Sequence, residues 1–149
     1  MKKLMVCAAA FSLLAAVSCK KDVPNTAPAP VEKAREVVLT QNILTRNVGK
    51  YPTDIKLFED QELTDRLKKM MGADYDEMVK NFNVVSPIKT ENDVYRANGC
   101  MQHNCPGYYA FIYFDAKNDN FNVLIDRDGK VKEYIEKAKI EVGEELKTR

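Results

Sequence analysis

Residues 99–107 concentrate the side chains of this chain that can do chemistry. The segment holds the only histidine of the sequence, His103, between Cys100 and Cys105. Four residues separate the two cysteines, close enough for a disulfide that would tie the segment into a small ring with the imidazole near its apex. We call residues 100–105 the ring. Because imidazole and thiol groups can bind metals, transfer protons, attack carbonyls or make hydrogen bonds, the function depends on which of these the ring does.

The residue types in and around the ring argue against metal binding and catalysis. The pattern Cys-x2-His-x-Cys crowds three ligands together, and no second histidine exists to complete a tetrahedral zinc site. Haem attachment requires Cys-x-x-Cys-His, and thiol redox catalysis favours two residues between the cysteines. A papain-like pair is disfavoured because an oxidised cysteine is no nucleophile and no acid is placed to orient His103. The sequence therefore predicts a protein that is not an enzyme and uses no cofactor and no metal.

The N-terminus has the features of an export signal. Lys2 and Lys3 precede an apolar run at 4–17 that carries no charge and is shorter than the roughly 20 residues of a membrane span. Small residues then lead into Cys19, an ending that resembles the lipobox of bacterial lipoproteins. We predict a lipoprotein signal peptide at 1–18 and lipid attachment at Cys19. An ordinary cleaved signal followed by an unmodified Cys19 stays open.

Residues 19–31 are predicted to form the lipid anchor and a proline-rich tether, since Pro24, Pro28 and Pro30 stand among small residues that cannot pack. We therefore expect a protein lipid-anchored to the cell envelope, at the outer membrane, either periplasmic or surface-exposed. With Cys7 removed in the signal and Cys19 lipidated, Cys100 and Cys105 are the one remaining pair, and export favours their oxidation.

Charge excludes one class of partner. Removing residues 1–18 takes away two of the 23 basic residues and none of the 22 acidic ones. The mature chain therefore has 21 basic and 22 acidic residues and is close to neutral. No lysine–arginine cluster stands free of acids, so a nucleic-acid partner is not expected.

Residues 32–149 are long enough for one domain, and their patterning changes from helical to alternating after Pro87. Apolar residues at helical spacing predict helices at 62–71, ended by Gly72, and at 74–82. Alternation predicts five strands, at 87–90, 93–97, 109–115, 121–126 and 130–135, with hairpin turns at 117–120 and 127–129. Residues 109–115 are apolar on both faces, which indicates a central strand.

These elements predict an α+β fold, an antiparallel β-sheet of four to five strands with helices packed on one face. For the remaining segments we predict helical spacing at 31–39, an irregular stretch at 42–54 and a charged, loosely helical tail at 141–149. The ring lies between two predicted strands and is therefore expected at the tip of a hairpin, where a scaffold displays functional side chains.

The ring has the sequence Cys100-Met101-Gln102-His103-Asn104-Cys105. It resembles the signature of the Ivy family of lysozyme inhibitors, which is Cys-Lys-Pro-His-Asp-Cys. Both cysteines and the histidine fall at matching positions. The strands predicted on either side, the exported context and the mature length also agree with the family. Outside residues 93–126 the likeness is one of pattern.

The resemblance implies a c-type lysozyme or related muramidase as the partner. Such enzymes carry a catalytic glutamic acid and an aspartate on opposite sides of a deep cleft. His103 is then the plug between the two carboxylates, Cys100 and Cys105 hold the shape of the ring, and Gly99 and Gly107 let the backbone turn.

Three ring residues differ from the signature, since Met101 replaces lysine, Gln102 replaces proline and Asn104 replaces aspartate. Asn104 keeps the hydrogen-bonding capacity of the aspartate and loses its charge. These differences affect affinity and leave open which lysozyme, or which murein-cleaving enzyme of the cell itself, is bound.

A second interpretation stays open. In it the chain is a surface or periplasmic lipoprotein that binds an unknown ligand, the disulfide only braces a hairpin, and His103 is solvated. The sequence leaves open whether the domain forms a homodimer.

Overall fold

The computed structural model describes residues 38–148. The predicted signal peptide, lipid anchor, tether and most of the helical spacing at 31–39 lie outside these residues. Within 38–148, no helix has the length and apolar character that crossing a membrane requires.

Two α-helices follow an irregular N-terminal stretch that contains the short 3-10 turns Thr45–Asn47 and Leu57–Glu59. Helix α1 spans Gln61–Met71 and helix α2 spans Asp74–Asn81, which confirms both predicted helices. The Asp60 side chain caps α1 by accepting a hydrogen bond from the Leu63 amide at 2.9 Å. Gly72 ends the helix with a positive φ of 59°.

Five strands form one antiparallel sheet in the order β1-β2-β3-β4-β5. Their bounds are Val84–Glu91, Val94–Cys100, Tyr108–Asp115, Asn120–Arg127 and Lys130–Ile135. The predicted fold class is confirmed, with β3 at the centre. Strand β1 begins three residues earlier than predicted, because Pro87 is accommodated at an irregularity on an edge strand.

The connection between β4 and β5 is the two-residue turn that the Asp-Gly pair predicts. Asp128 and Gly129 have φ values of 51° and 81°, and tight hairpins of this kind require positive φ at both central positions. The Asp126 carboxylate accepts a hydrogen bond from the Gly129 amide at 2.7 Å and holds the turn closed.

The main core lies between the two helices and one face of the sheet. It is built by alternate residues of the central strands and by the apolar faces of the helices, among them Leu63, Leu67, Met78, Ala110, Ile112, Phe114, Phe121, Val123 and Ile125. The strand periodicity of two and the helical periodicity of 3.6 place these residues on facing surfaces. The prediction that helices pack on one face of the sheet is therefore confirmed.

The C-terminal segment covers part of the opposite face. The predicted helical tail is helical only at Glu144–Lys147, which we call α3. Ile140 and Leu146 pack on Val94, Phe111 and Tyr113 of this second face. The buried guanidinium of Arg96 donates to the carbonyls of Leu146 and Thr148 at 2.9 and 2.6 Å. The segment is thus part of the folded domain.

Candidate functional site: the disulfide ring

The ring closes the end of the β2–β3 hairpin. The Sγ atoms of Cys100 and Cys105 are 2.05 Å apart, and their Cα atoms are 4.8 Å apart. Cys100 is the last residue of β2 and is buried, so one end of the ring is built into the sheet. The ring therefore projects from a rigid base.

Backbone hydrogen bonds organise the loop internally. The Met101 amide donates to the Tyr108 carbonyl at 3.3 Å, and the Asn104 amide donates to the Met101 carbonyl at 3.0 Å. The Asn104 carbonyl accepts from the amides of both Gly107 and Tyr108, each at 3.0 Å. Asn104 is therefore the residue around which the loop folds.

The side chains of the ring divide between base and tip. The Met101 side chain is half-buried and packs against the main core, which anchors the ring. Gln102, His103 and Asn104 are exposed, and Cys105 is half-buried. The lysine position of the signature thus holds a residue that faces inward.

His103 adopts an uncommon backbone conformation, with φ at 64°. A left-handed conformation is unfavourable for most residues that carry a Cβ, and histidine, asparagine and aspartate are the residues most often found there. Among the described residues no hydrogen bond to the His103 imidazole is formed. Both nitrogens of the His103 imidazole are therefore free to bind an external group.

The expected role as a turning residue is wrong for Gly99, which lies inside β2, whereas Gly107 does lie in a turn, without a positive φ. Gly99 lies in β2, where a Cβ would come within 2.7 Å of the Phe82 ring. At Gly107 a Cβ would meet the side-chain oxygen of Asn104 at 2.5 Å. Both glycines make room for a neighbouring side chain, and His103 is the ring residue with a positive φ.

A sequence model of one family, described as "Inhibitor of vertebrate lysozyme (Ivy)", matches residues 62–149. The match covers more than half of the chain, from α1 through the ring to the C-terminus. The chain belongs to the Ivy family. No curated protein and no solved structure matches the chain significantly. The Ivy family is a family of inhibitors of vertebrate lysozyme rather than of enzymes.

Two neighbouring segments brace the Ivy ring, and the sequence did not identify either. The Asn83 amide, between α2 and β1, donates to the Cys100 carbonyl at 3.1 Å. On the other side the Asp128 amide, in the β4–β5 turn, donates to the Gly107 carbonyl at 2.9 Å. The Asp-Gly signal located that turn, but its position beside the ring depends on strand register.

A charged cluster beneath the ring fixes this end of the domain. Arg127 donates to both carboxylate oxygens of Glu77, at 2.9 and 2.8 Å, and its guanidinium carbon lies 5.7 Å from the centre of the Tyr108 ring. Burial, together with the nearby Glu77 carboxylate, raises the pKa of Tyr108 to about 12. The ring therefore leaves the sheet next to a neutral tyrosine held between α2 and β4.

The chemistry open to the ring is that of a hydrogen-bonding group. A disulfide-bonded cysteine has no thiolate to act as nucleophile or metal ligand. Among residues 38–148, no three histidine, cysteine or acidic side chains are grouped in a way that could hold a metal ion. What the ring presents is an imidazole on a braced loop.

Proposed function

We propose that this chain inhibits a lysozyme by inserting the ring into the active-site cleft, where His103 contacts the catalytic carboxylates. Family membership supports the lysozyme partner. The observation that carries the mechanism is the His103 imidazole, exposed at the tip of a disulfide-closed loop and without an internal hydrogen-bond partner.

The energetics of such a plug are favourable. Hydrogen bonds that involve a charged group contribute about 1.5–3 kcal/mol each, and the imidazole has two nitrogens for two carboxylates. Because the loop is already closed by the bridge and by the Asn104 carbonyl, little conformational entropy is lost on insertion. Occupying the carboxylates blocks the substrate and removes the proton donor that glycoside cleavage needs.

The bridge acts mainly on the shape of the loop. In the chain-entropy model, a disulfide that closes so short a loop stabilises the fold by about 2 kcal/mol. The two bracing segments and the buried Cys100 hold the base without it. We therefore assign to the Cys100–Cys105 bridge the role of presenting His103.

The plug mechanism is tested in a lysis assay. Hen egg-white lysozyme lyses bacterial cells, the fall in turbidity gives the rate of lysis, and the inhibition constant is obtained from how much this protein slows it. The variant His103→Asn keeps a residue that tolerates left-handed backbone and removes the imidazole. We expect its inhibition constant to rise at least about 100-fold, the equivalent of about 3 kcal/mol.

The matched control is Gln102→Ala, which truncates the adjacent exposed side chain and should change the inhibition constant less than threefold. Equal inhibition by His103→Asn and wild type would contradict the plug. Failure of the wild-type protein against c-type, g-type and i-type lysozymes alike would favour an interaction module with another ligand.

A further inference from the structure

A row of five residues crosses the sheet directly below the ring. Strand register pairs Val84 with Cys100, Cys100 with Tyr109, Tyr109 with Asp126, and Asp126 with Val131. Directly opposed residues of antiparallel strands point to the same face, so the five share one face. It is the face opposite α1 and α2, because Tyr109 packs against the second cluster. We call these residues the ring-side row.

The ends of the row are apolar and exposed. Val84 is 47% exposed on edge strand β1, and Val131 is 55% exposed on edge strand β5. Between them lie the buried Cys100, the half-buried Tyr109 and the buried Asp126, whose carboxylate accepts a hydrogen bond from the Gly129 amide. With strands about 4.8 Å apart, the row is about 19 Å wide.

The C-terminal segment covers the other end of this face. Ile140 and Leu146 pack on Val94, Phe111 and Tyr113, which lie further from the ring along β2 and β3. Val84 and Val131 are not part of that cluster. The two exposed ends of the row therefore lie outside the part of this face that the C-terminal segment covers, and the row joins the ring through Cys100.

The reach of the ring limits how a target can be bound. Seven residues, 101–107, leave β2 and return to β3. Even fully extended, half of that length spans only about 12 Å. A lysozyme whose carboxylates lie at the bottom of a deep cleft must therefore bring the rim of that cleft against the strand ends beside the ring, where Val84 and Val131 are exposed.

We propose that the ring-side row is a second contact surface for the same lysozyme that the ring enters, and that it binds an apolar part of the rim of the cleft. This inference rests on the proposed function and extends it from one loop to a wider interface. Val84 and Val131 contact the rim on either side, and burying them excludes water from the hydrogen bonds of His103.

The test places a carboxylate at each end of the row. Val84→Asp and Val131→Asp should each raise the inhibition constant for hen egg-white lysozyme at least about tenfold, because the new charge would be buried against an apolar rim. The matched controls are Val48→Asp, at a valine that is 45% exposed outside the row, and Ile135→Asp, at a residue 46% exposed on the same strand and face as Val131. Both controls should stay within twofold of wild type.

Thermal unfolding of each variant separates lost contact from lost fold, since row and control variants should have similar midpoints. If both row variants inhibit as well as wild type while His103→Asn inhibits poorly, the row is not a contact surface and the plug mechanism still holds. Loss of inhibition in the row variants with wild-type activity in His103→Asn would support the row and contradict the plug. If the wild-type protein sediments as a dimer that Val131→Asp dissociates without changing the inhibition constant, the row binds a second copy and the inference is wrong.

Discussion

At the scale of single residues, the conformation of the ring depends on how Asn104 fits against Gly107. The Asn104 carbonyl accepts two amides, and its side-chain amide lies where a Cβ on Gly107 would stand. Its nitrogen also approaches the Met101 sulfur, at 3.9 Å. Asn104 therefore holds the loop that carries His103 from within.

Gly107→Ala tests this packing. The added Cβ would come within 2.5 Å of the Asn104 side-chain oxygen, so the amide must move and the loop with it. We expect weaker lysozyme inhibition, by about tenfold, with a change in unfolding free energy below about 1 kcal/mol because the loop is exposed. Inhibition assays and thermal unfolding measure the two effects.

The double variant Asn104→Ala/Gly107→Ala is the control for that experiment. Removing the amide relieves the contact and keeps the backbone bonds, so inhibition should recover relative to Gly107→Ala alone. If the loss of inhibition in the double variant equals the sum of the losses in Asn104→Ala and Gly107→Ala, the two side chains act independently and the positioning role is contradicted.

At the scale of secondary-structure elements, Arg66 connects α1 to two distant parts of the sheet. Its guanidinium is 2.7 Å from Asp119 in the β3–β4 turn and 2.7 Å from Glu136 just after β5. It also lies 4.5 Å from the centre of the Phe121 ring. Burial alone would raise the pKa of Glu136, but hydrogen bonds from Arg66 and the Phe121 amide outweigh it and lower that pKa below 4.5.

The lowered pKa makes stability depend on pH. Because the folded state holds Glu136 ionised more strongly than the unfolded state does, its contribution is fully present above pH 4.5 and is lost as the pH falls. Glu136→Gln should therefore lower the unfolding free energy by about 2 kcal/mol at pH 7 and by progressively less in acid. Denaturant unfolding between pH 3 and pH 7 measures the difference.

Glu133→Gln provides the comparison. Glu133 pairs with Lys139 at 3.0 Å on the surface, where such pairs contribute at most about 1 kcal/mol. Glu133→Gln should therefore lower the unfolding free energy by at most about 1 kcal/mol at every pH. A Glu136→Gln effect that is equally small, or that does not shrink in acid, would show that the Arg66 contacts do not link the elements energetically.

At the scale of the whole molecule, the ring and the start of the described domain lie at opposite ends of the sheet. The Thr40 amide donates to the Ala116 carbonyl at 2.8 Å, just beyond the end of β3, whereas the ring precedes the start of β3. The eight residues of β3 separate the two ends by about 25 Å.

We propose that lipid attachment at Cys19 holds the protein at the cell envelope. Radiolabelled palmitate should be incorporated into the wild-type protein and not into Cys19→Ser. The Cys19→Ser protein should still inhibit lysozyme in solution, because Cys19 takes no part in the ring. Unlabelled wild-type protein would contradict the anchor without affecting the plug.

Local periodicity was enough to predict much of this molecule. The spacing of Leu63 and Leu67 predicts an amphipathic helix, the two apolar faces of residues 109–115 place β3 at the centre, and Asp128-Gly129 predicts a tight turn. The ring and its family resemblance also follow from sequence, because two cysteines and a histidine at fixed spacing form a local pattern.

Only the tertiary structure decided what surrounds that pattern. Gly99 and Gly107 are needed because Phe82 and Asn104 occupy the space of their Cβ atoms, and the spacing of a sequence does not report such contacts. The bracing of the ring by Asn83 and Asp128, and the row from Val84 to Val131, result from strand register across residues far apart in the chain. The sequence thus determined which group is presented, and packing determined the surface that presents it.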